Sequence, residues 1–166
     1  LGIVREAKPV QMDDGYQGNP AVLDVTTGGQ LVLGSEPSYQ QKAPAFNFDG
    51  SLLMVTYSSI AADSDAPAII IYDAGGTEVH RIGFEGTAWY GSPRWSPSAN
   101  LIAMHRQDES AARYTVYSVD EARFIAESET PKVSEKIGGR WGGGDMWNTE
   151  WSRDGQRILY SFMWGD

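Results

Sequence analysis

Cysteine is absent from this chain of 166 residues. Its absence excludes disulfide bonds, thiolate metal sites, iron–sulfur clusters and a cysteine nucleophile. Histidine is nearly as scarce, with two residues, and no apolar run approaches the roughly 20 residues of a membrane-spanning helix. Positive charge is also in deficit, because 13 Lys and Arg face 22 Asp and Glu, for a formal net charge of −9. We therefore predict no metal site, no cofactor, no membrane span and no nucleic-acid partner.

The residues that are present favour a folded, turn-rich chain. Hydrophobic residues make up 41% of it and aromatic residues 11%, too many for a disordered protein. The 19 glycines and 8 prolines indicate many turns. No stretch shows sustained helical periodicity, so the expected fold class is all-β.

One pattern occurs three times: an aromatic residue, a polar turn and a short apolar run. Its aromatic residues are Phe46, Trp95 and Trp151, separated by 49 and 56 residues. Two copies have Asp-Gly in the turn, where Asp bonds nearby backbone and Gly tolerates positive φ. The second copy has Ala99 in place of glycine, so its turn is expected to differ. Continuous apolar runs predict strands buried on both faces; they span residues 52–55, 101–104 and 158–160.

A second, β-prone pattern alternates with the first. Its copies end at Asp24, Asp73 and Ser118, and each is followed by a turn and a further short strand. Together the two patterns predict four-stranded antiparallel blades of about 45–50 residues, the size of a β-propeller repeat. The expected single partial domain has an incomplete blade at 1–43, blades at 44–92 and 93–148, and an incomplete blade at 149–166. These are about three blades, half of a six-bladed propeller.

These repeats resemble those of the TolB-like β-propeller family, which are similar to WD repeats. The resemblance rests on residues 93–97 (PRWSP) and 151–155 (WSRDG), with a weaker copy at 46–50 (FNFDG). It implies a non-catalytic protein-interaction or accessory subunit of an exported complex, in the periplasm or outside the cell. The same repeat also occurs in propeller domains of larger enzymes, such as prolyl-oligopeptidase-like hydrolases. In that case the catalytic part would lie outside this chain.

Motifs for catalysis are missing. The sequence has no Gly-x-Ser-x-Gly elbow, P-loop or dinucleotide fingerprint. His80 and His105 lie on different repeats, and no spacing places either beside carboxylates or a nucleophile. We expect two surface or strand-edge histidines, no catalytic residue and no enzyme activity in this chain.

One connection is unusual: residues 138–151 contain five glycines together with aromatic and charged residues. Tryptophan and arginine on a flexible loop suit an anchoring contact with a protein, or stacking on a sugar ring. Trp89 and Tyr90 occupy the equivalent place one repeat earlier. The alternative is that these aromatics pack between blades. The predicted binding residues are Trp89, Tyr90, Arg140, Trp141, Asp145 and Trp147, for a protein partner or, in a third hypothesis, a glycan.

Overall fold

The computed structural model describes residues 2–4, 17–18, 20–33, 38–59, 68–83, 89–107, 112–129 and 149–160. In these ranges every regular element is a β-strand, and the strands form four antiparallel sheets, so the all-β class is confirmed. The strands are β1 (Gly2–Val4), β2 (Gln17–Gly18), β3 (Pro20–Leu23), β4 (Gln30–Val32), β5 (Ser38–Phe46), β6 (Leu52–Ser59), β7 (Ala68–Asp73), β8 (Glu78–Gly83), β9 (Trp89–Trp95), β10 (Leu101–Gln107), β11 (Ala112–Ser118), β12 (Arg123–Glu129), β13 (Thr149–Trp151) and β14 (Ile158–Tyr160). The chain divides into two compact units, Leu1–Gly86 and Thr87–Asp166.

The first unit contains two sheets that share a hydrophobic cluster. One sheet has the order β1-β3-β4 and the other the order β2-β5-β6-β7-β8. The cluster comprises Leu33, Leu53, Val55, Tyr57, Ala68, Ile70 and Tyr72, with Val22, Leu31 and Phe46 packed against it. Because its members come from both sheets, this cluster holds the two sheets together. Each fully buried large apolar side chain contributes roughly 1.5–3 kcal/mol.

The central strands of this unit are buried on both faces. In β6, Leu53, Val55 and Tyr57 point to the cluster, while Met54 and Thr56 on the opposite face are also buried. Five of the six residues of β7 are buried. The predicted burial of the run at 52–55 is thus confirmed for residues 53–55, whereas Leu52 is half-buried.

The second unit contains a four-stranded sheet with the order β12-β11-β10-β9 and a two-stranded sheet of β13 and β14. Strand β10 is central, and Ile102 to Met104 are buried, as the apolar run at 101–104 predicts beyond its half-buried first residue. The prediction for the run at 158–160 is wrong, because Leu159 is 75% exposed. Leu159 pairs with Glu150, which is exposed too, so both lie on a face of the two-stranded sheet that is open to solvent in the described part.

The predicted repeat boundaries at residues 44 and 93 fall inside strands β5 and β9. Pro44 lies between Lys42 and Ala45, where the pairing of β5 with β6 shifts register. Pro93 lies between Gly91 and Arg94, where the pairing of β9 with β10 shifts register. A bulge accommodates proline because its missing N–H is not needed in the ladder there. Both prolines therefore lie at irregularities within strands and not at strand starts.

The three turns after the aromatic residues close with the same backbone hydrogen bond. Its donor and acceptor are Asn47 N and Leu52 O at 2.9 Å, Ser96 N and Leu101 O at 2.8 Å, and Ser152 N and Arg157 O at 2.8 Å. Gly50 and Gly155 have φ of +79° and +69°, whereas Ala99 does not have positive φ. The expected difference of the second turn is thus confirmed, although the closing bond is kept.

The residues that end the β-prone pattern organise the hairpin turns that follow. The Asp24 Oδ1 atom accepts a hydrogen bond from Thr26 N at 2.8 Å, and Asp73 Oδ1 accepts one from Thr77 N at 2.9 Å. Ser118 Oγ accepts one from Glu121 N at 3.2 Å. Each turn also contains one residue with positive φ, and in the third this residue is an alanine: Gly28, Gly76 and Ala122.

Candidate functional site

The two sheets of the second unit meet at their equivalent turns. The indole Nε1 of Trp151 donates a hydrogen bond to the Arg94 carbonyl oxygen at 3.0 Å. Ser98 Oγ donates one to the Asp154 carbonyl oxygen at 3.3 Å. We call these two contacts, together with the adjoining Gly155, the turn joint. They place the end of β13 beside the end of β9, and the turns after both strands beside each other.

Gly155 fits the turn joint for two reasons. Its φ of +69° is a conformation that residues with a side chain rarely adopt. A Cβ atom at this position would lie 2.1 Å from Ser98 Oγ and 3.0 Å from Ser96 Oγ. The close approach of the two turns therefore requires a glycine.

The turn joint also determines which strand ends share one side of the unit. Arg94 and Trp151 lie at the ends of β9 and β13, so both strands end at the turn joint and begin away from it. Their first residues, Trp89 and Thr149, consequently lie at the same end of the unit. We call this end the entry end, because the connections into β9 and β13 both arrive there.

The predicted binding residues are only partly within the described structure. Trp89 and Tyr90 are the first two residues of β9, and their backbones pair with Gln107 and Arg106 of β10. Four other predicted residues lie outside the described residues: Arg140, Trp141, Asp145 and Trp147. All six remain predictions. The described part adds that the connection carrying the last four leads to the entry end, where Trp89 and Tyr90 also lie.

The entry end carries a pair of arginines that sequence reasoning missed. Arg106 of β10 lies directly opposite Arg113 of β11. The guanidinium of Arg113 also forms an ion pair with Glu127 of β12, at 3.0 Å. A signal was present in the sequence, since both arginines flank the same hairpin connection. Arginine, tryptophan and tyrosine are the residues most enriched at the energetic centres of protein interfaces.

The two histidines differ in their surroundings. His80 is half-buried on β8, the edge strand of its sheet, as predicted. The prediction of a surface or strand-edge position is wrong for His105, which is 0% exposed on the central strand β10. Its ring centre is 5.5 Å from that of Tyr114. Burial lowers the pKa of His105 to about 4, so its imidazole is neutral at neutral pH.

The described cross-strand neighbours of His105 are not a nucleophile or a carboxylate. Across the sheet, His105 lies opposite Gly91 on one side and Tyr114 on the other. Within the described ranges, no group of three or more histidine or acidic side chains is placed to hold a metal ion. The same ranges contain no helix with the length and apolar character that a membrane crossing requires.

Comparison with known proteins adds no family assignment. The chain matches no protein-family model, and no curated protein matches it.

Proposed function

We propose that this chain forms about three blades of a TolB-like β-propeller and acts as a non-catalytic interaction subunit of a larger exported complex, periplasmic or extracellular. The fold part of the proposal is supported by the repeated turns and by the four-stranded sheet whose strands follow chain order, β9 to β12. It is also supported by the packing of one sheet on another within each unit, through the hydrophobic cluster and the turn joint.

The functional part rests mainly on the composition of the entry end. Trp89 and Tyr90 begin β9 there, Arg106 and Arg113 lie side by side there, and the connection of residues 130–148 arrives there. Large aromatic side chains offer much contact area with little loss of conformational entropy. Arginine adds planar hydrogen bonding to carboxylates and backbone carbonyls. This combination suits the recognition of a protein surface.

The test begins with the native protein, cross-linked in its own cells and purified with what it binds. The dissociation constant for the partner identified is then measured for the wild type and for Trp141→Ala and Trp147→Ala. Truncating a central aromatic side chain costs about 2 kcal/mol of binding free energy, so the dissociation constant should rise about 30-fold. Phe48→Ser is the control, because Phe48 is exposed in a turn of the first unit and is not one of the predicted binding residues.

Three outcomes distinguish the hypotheses. A partner whose affinity falls with both tryptophan variants and not with Phe48→Ser supports an interaction subunit. Glycan binding that is lost in Trp141→Ala, with folding intact, favours a carbohydrate-binding propeller instead. A gene that continues into a hydrolase domain favours a propeller domain of an enzyme. Unchanged affinity in both tryptophan variants would refute the assignment of the binding surface.

A further inference from the structure

Among the described residues, His105 is the most deeply buried titratable side chain that the proposed function leaves without a role. It lies in the middle of β10, a central strand, and is 0% exposed. The glycine opposite it on β9, Gly91, is buried as well. On the other side it packs against Tyr114, with ring centres 5.5 Å apart. A charged imidazolium placed here would have to give up most of its hydration.

The described residues on the same face of the sheet as His105 include no acidic side chain. On its face of the sheet, the charged and titratable residues described are Arg94 of β9, opposite Ala103, Tyr114 of β11, and Arg123 of β12, opposite Ser118. An arginine repels an imidazolium, and a neutral tyrosine does not compensate its charge. The carboxylate of Glu127 belongs to the opposite face, since Glu127 pairs with Thr115, the neighbour of Tyr114 on β11. On β13, which packs on β9 and β10, Glu150 is exposed whereas the adjacent Thr149 is buried.

We propose that His105 makes the second unit, which contains β9 to β14, an acid-sensitive part of the protein: protonation of its imidazole opens this unit, while the first unit keeps its structure. The opened form binds the proton more tightly than the closed form, because its imidazole is accessible to water. Acid thereby shifts the equilibrium toward the opened form. The inference is independent of any partner.

The expected size follows from the two protonation equilibria. Burial holds the pKa of His105 at about 4 in the closed unit, against 6.5 for an accessible imidazole. A depressed pKa of this kind stabilises the closed form above pH 6.5, and the stabilisation is lost as the pH falls toward 4. Between pH 8 and pH 5 the opening equilibrium of the second unit should rise about 30-fold.

Native-state hydrogen exchange, measured by mass spectrometry at pH 8 and pH 5, tests the proposal on the whole chain. Protection factors are compared, because they remove the pH dependence of the chemical exchange step. Peptides from β10 and β11 should lose about 30-fold protection at pH 5, and peptides from β6 and β7 should keep theirs. His105→Gln should abolish the loss, and the control variant His80→Gln should retain it. Equal protection of β10 at both pH values would overturn the proposal.

A measurement on the wild type covers the case in which His105→Gln does not fold. The chain has two histidines, so the imidazole signals of His80 and His105 can be assigned and titrated by NMR. A His105 signal that stays neutral until the second unit opens supports the proposal. A His105 signal that titrates near 6.5 in the closed protein would refute it, because the ring would then accept its proton without opening.

Discussion

Replacing Gly155 with alanine places a methyl group inside the turn joint. The φ of +69° alone costs an L residue about 1 kcal/mol relative to glycine. The new Cβ would lie 2.1 Å from Ser98 Oγ, so the Ser98 hydroxyl must rotate away and lose its bond to the Asp154 carbonyl. That loss adds about 1 kcal/mol. Displacement of the buried Ser96 hydroxyl, 3.0 Å from the new atom, raises the expected total to about 2–3 kcal/mol.

Gly50 provides a matched control in the equivalent turn of the first repeat. Its φ is +79°, and no atom lies within 4 Å of the position that a Cβ would take. Gly50→Ala should therefore cost only the conformational part, about 1 kcal/mol. A second control is a double-mutant cycle, in which Ser98→Ala and Gly155→Ala are measured singly and together. Without the Ser98 hydroxyl the collision disappears, so the double variant should show a coupling energy of about 1 kcal/mol.

The assay has to follow each unit separately. All six tryptophans lie in the second unit, so urea unfolding followed by tryptophan fluorescence reports the cost of Gly155→Ala. Hydrogen exchange in peptides from β5 and β6 reports the cost of Gly50→Ala. The close packing of the turns would be refuted if both variants cost the same. It would also be refuted if the effects of Ser98→Ala and Gly155→Ala were additive.

Three further predictions concern single side chains. Ala122→Gly should stabilise the second unit by about 0.5–1 kcal/mol in urea unfolding, because Ala122 holds a φ of +52° that glycine adopts without strain; a loss of stability would contradict this. Trp151→Phe should cost about 1 kcal/mol by thermal unfolding followed by circular dichroism, since the Arg94 carbonyl loses its indole donor, and no cost would mean that the bond contributes nothing. Asp49→Ala should destabilise the first unit at pH 7, because hydrogen bonds from Ser51 hold the pKa of the Asp49 carboxyl below its ordinary value of 3.8. The difference from wild type should vanish as the pH falls below that value, and a difference that persists in acid would show another cause.

Local chemistry made the turns and the fold class predictable. Asp-Gly in the first and third turns indicated positive φ at Gly50 and Gly155, and the structure has it at both. The absence of glycine at Ala99 indicated a different second turn, which is also observed. Such features depend on a few neighbouring residues, so a short window of sequence contains the necessary information.

Burial was less predictable, because it depends on what covers each face of a sheet. The runs at 101–104 and 158–160 look alike in sequence, yet Met104 in the first is 0% exposed and Leu159 in the second is 75% exposed. His105 is polar enough to suggest a surface, but it lies on a central strand whose faces are covered. The candidate site shows the same limit. The residues Trp89 and Tyr90 could be named from composition, whereas the neighbouring Arg106 and Arg113 required strand register.

The sequence by itself determined that this protein is built from β-strands in repeated units, and it located the turns that separate them. Hydrogen-bonding preferences of aspartate, serine and glycine act over a few residues, and these preferences recur in each repeat. Only the tertiary structure decided that Gly155 must fit against Ser96 and Ser98, and that β9 and β13 begin at one end of the second unit. It also decided that His105 is neutral. These properties arise from contacts between residues far apart in the chain, or from the removal of water, which no local pattern encodes.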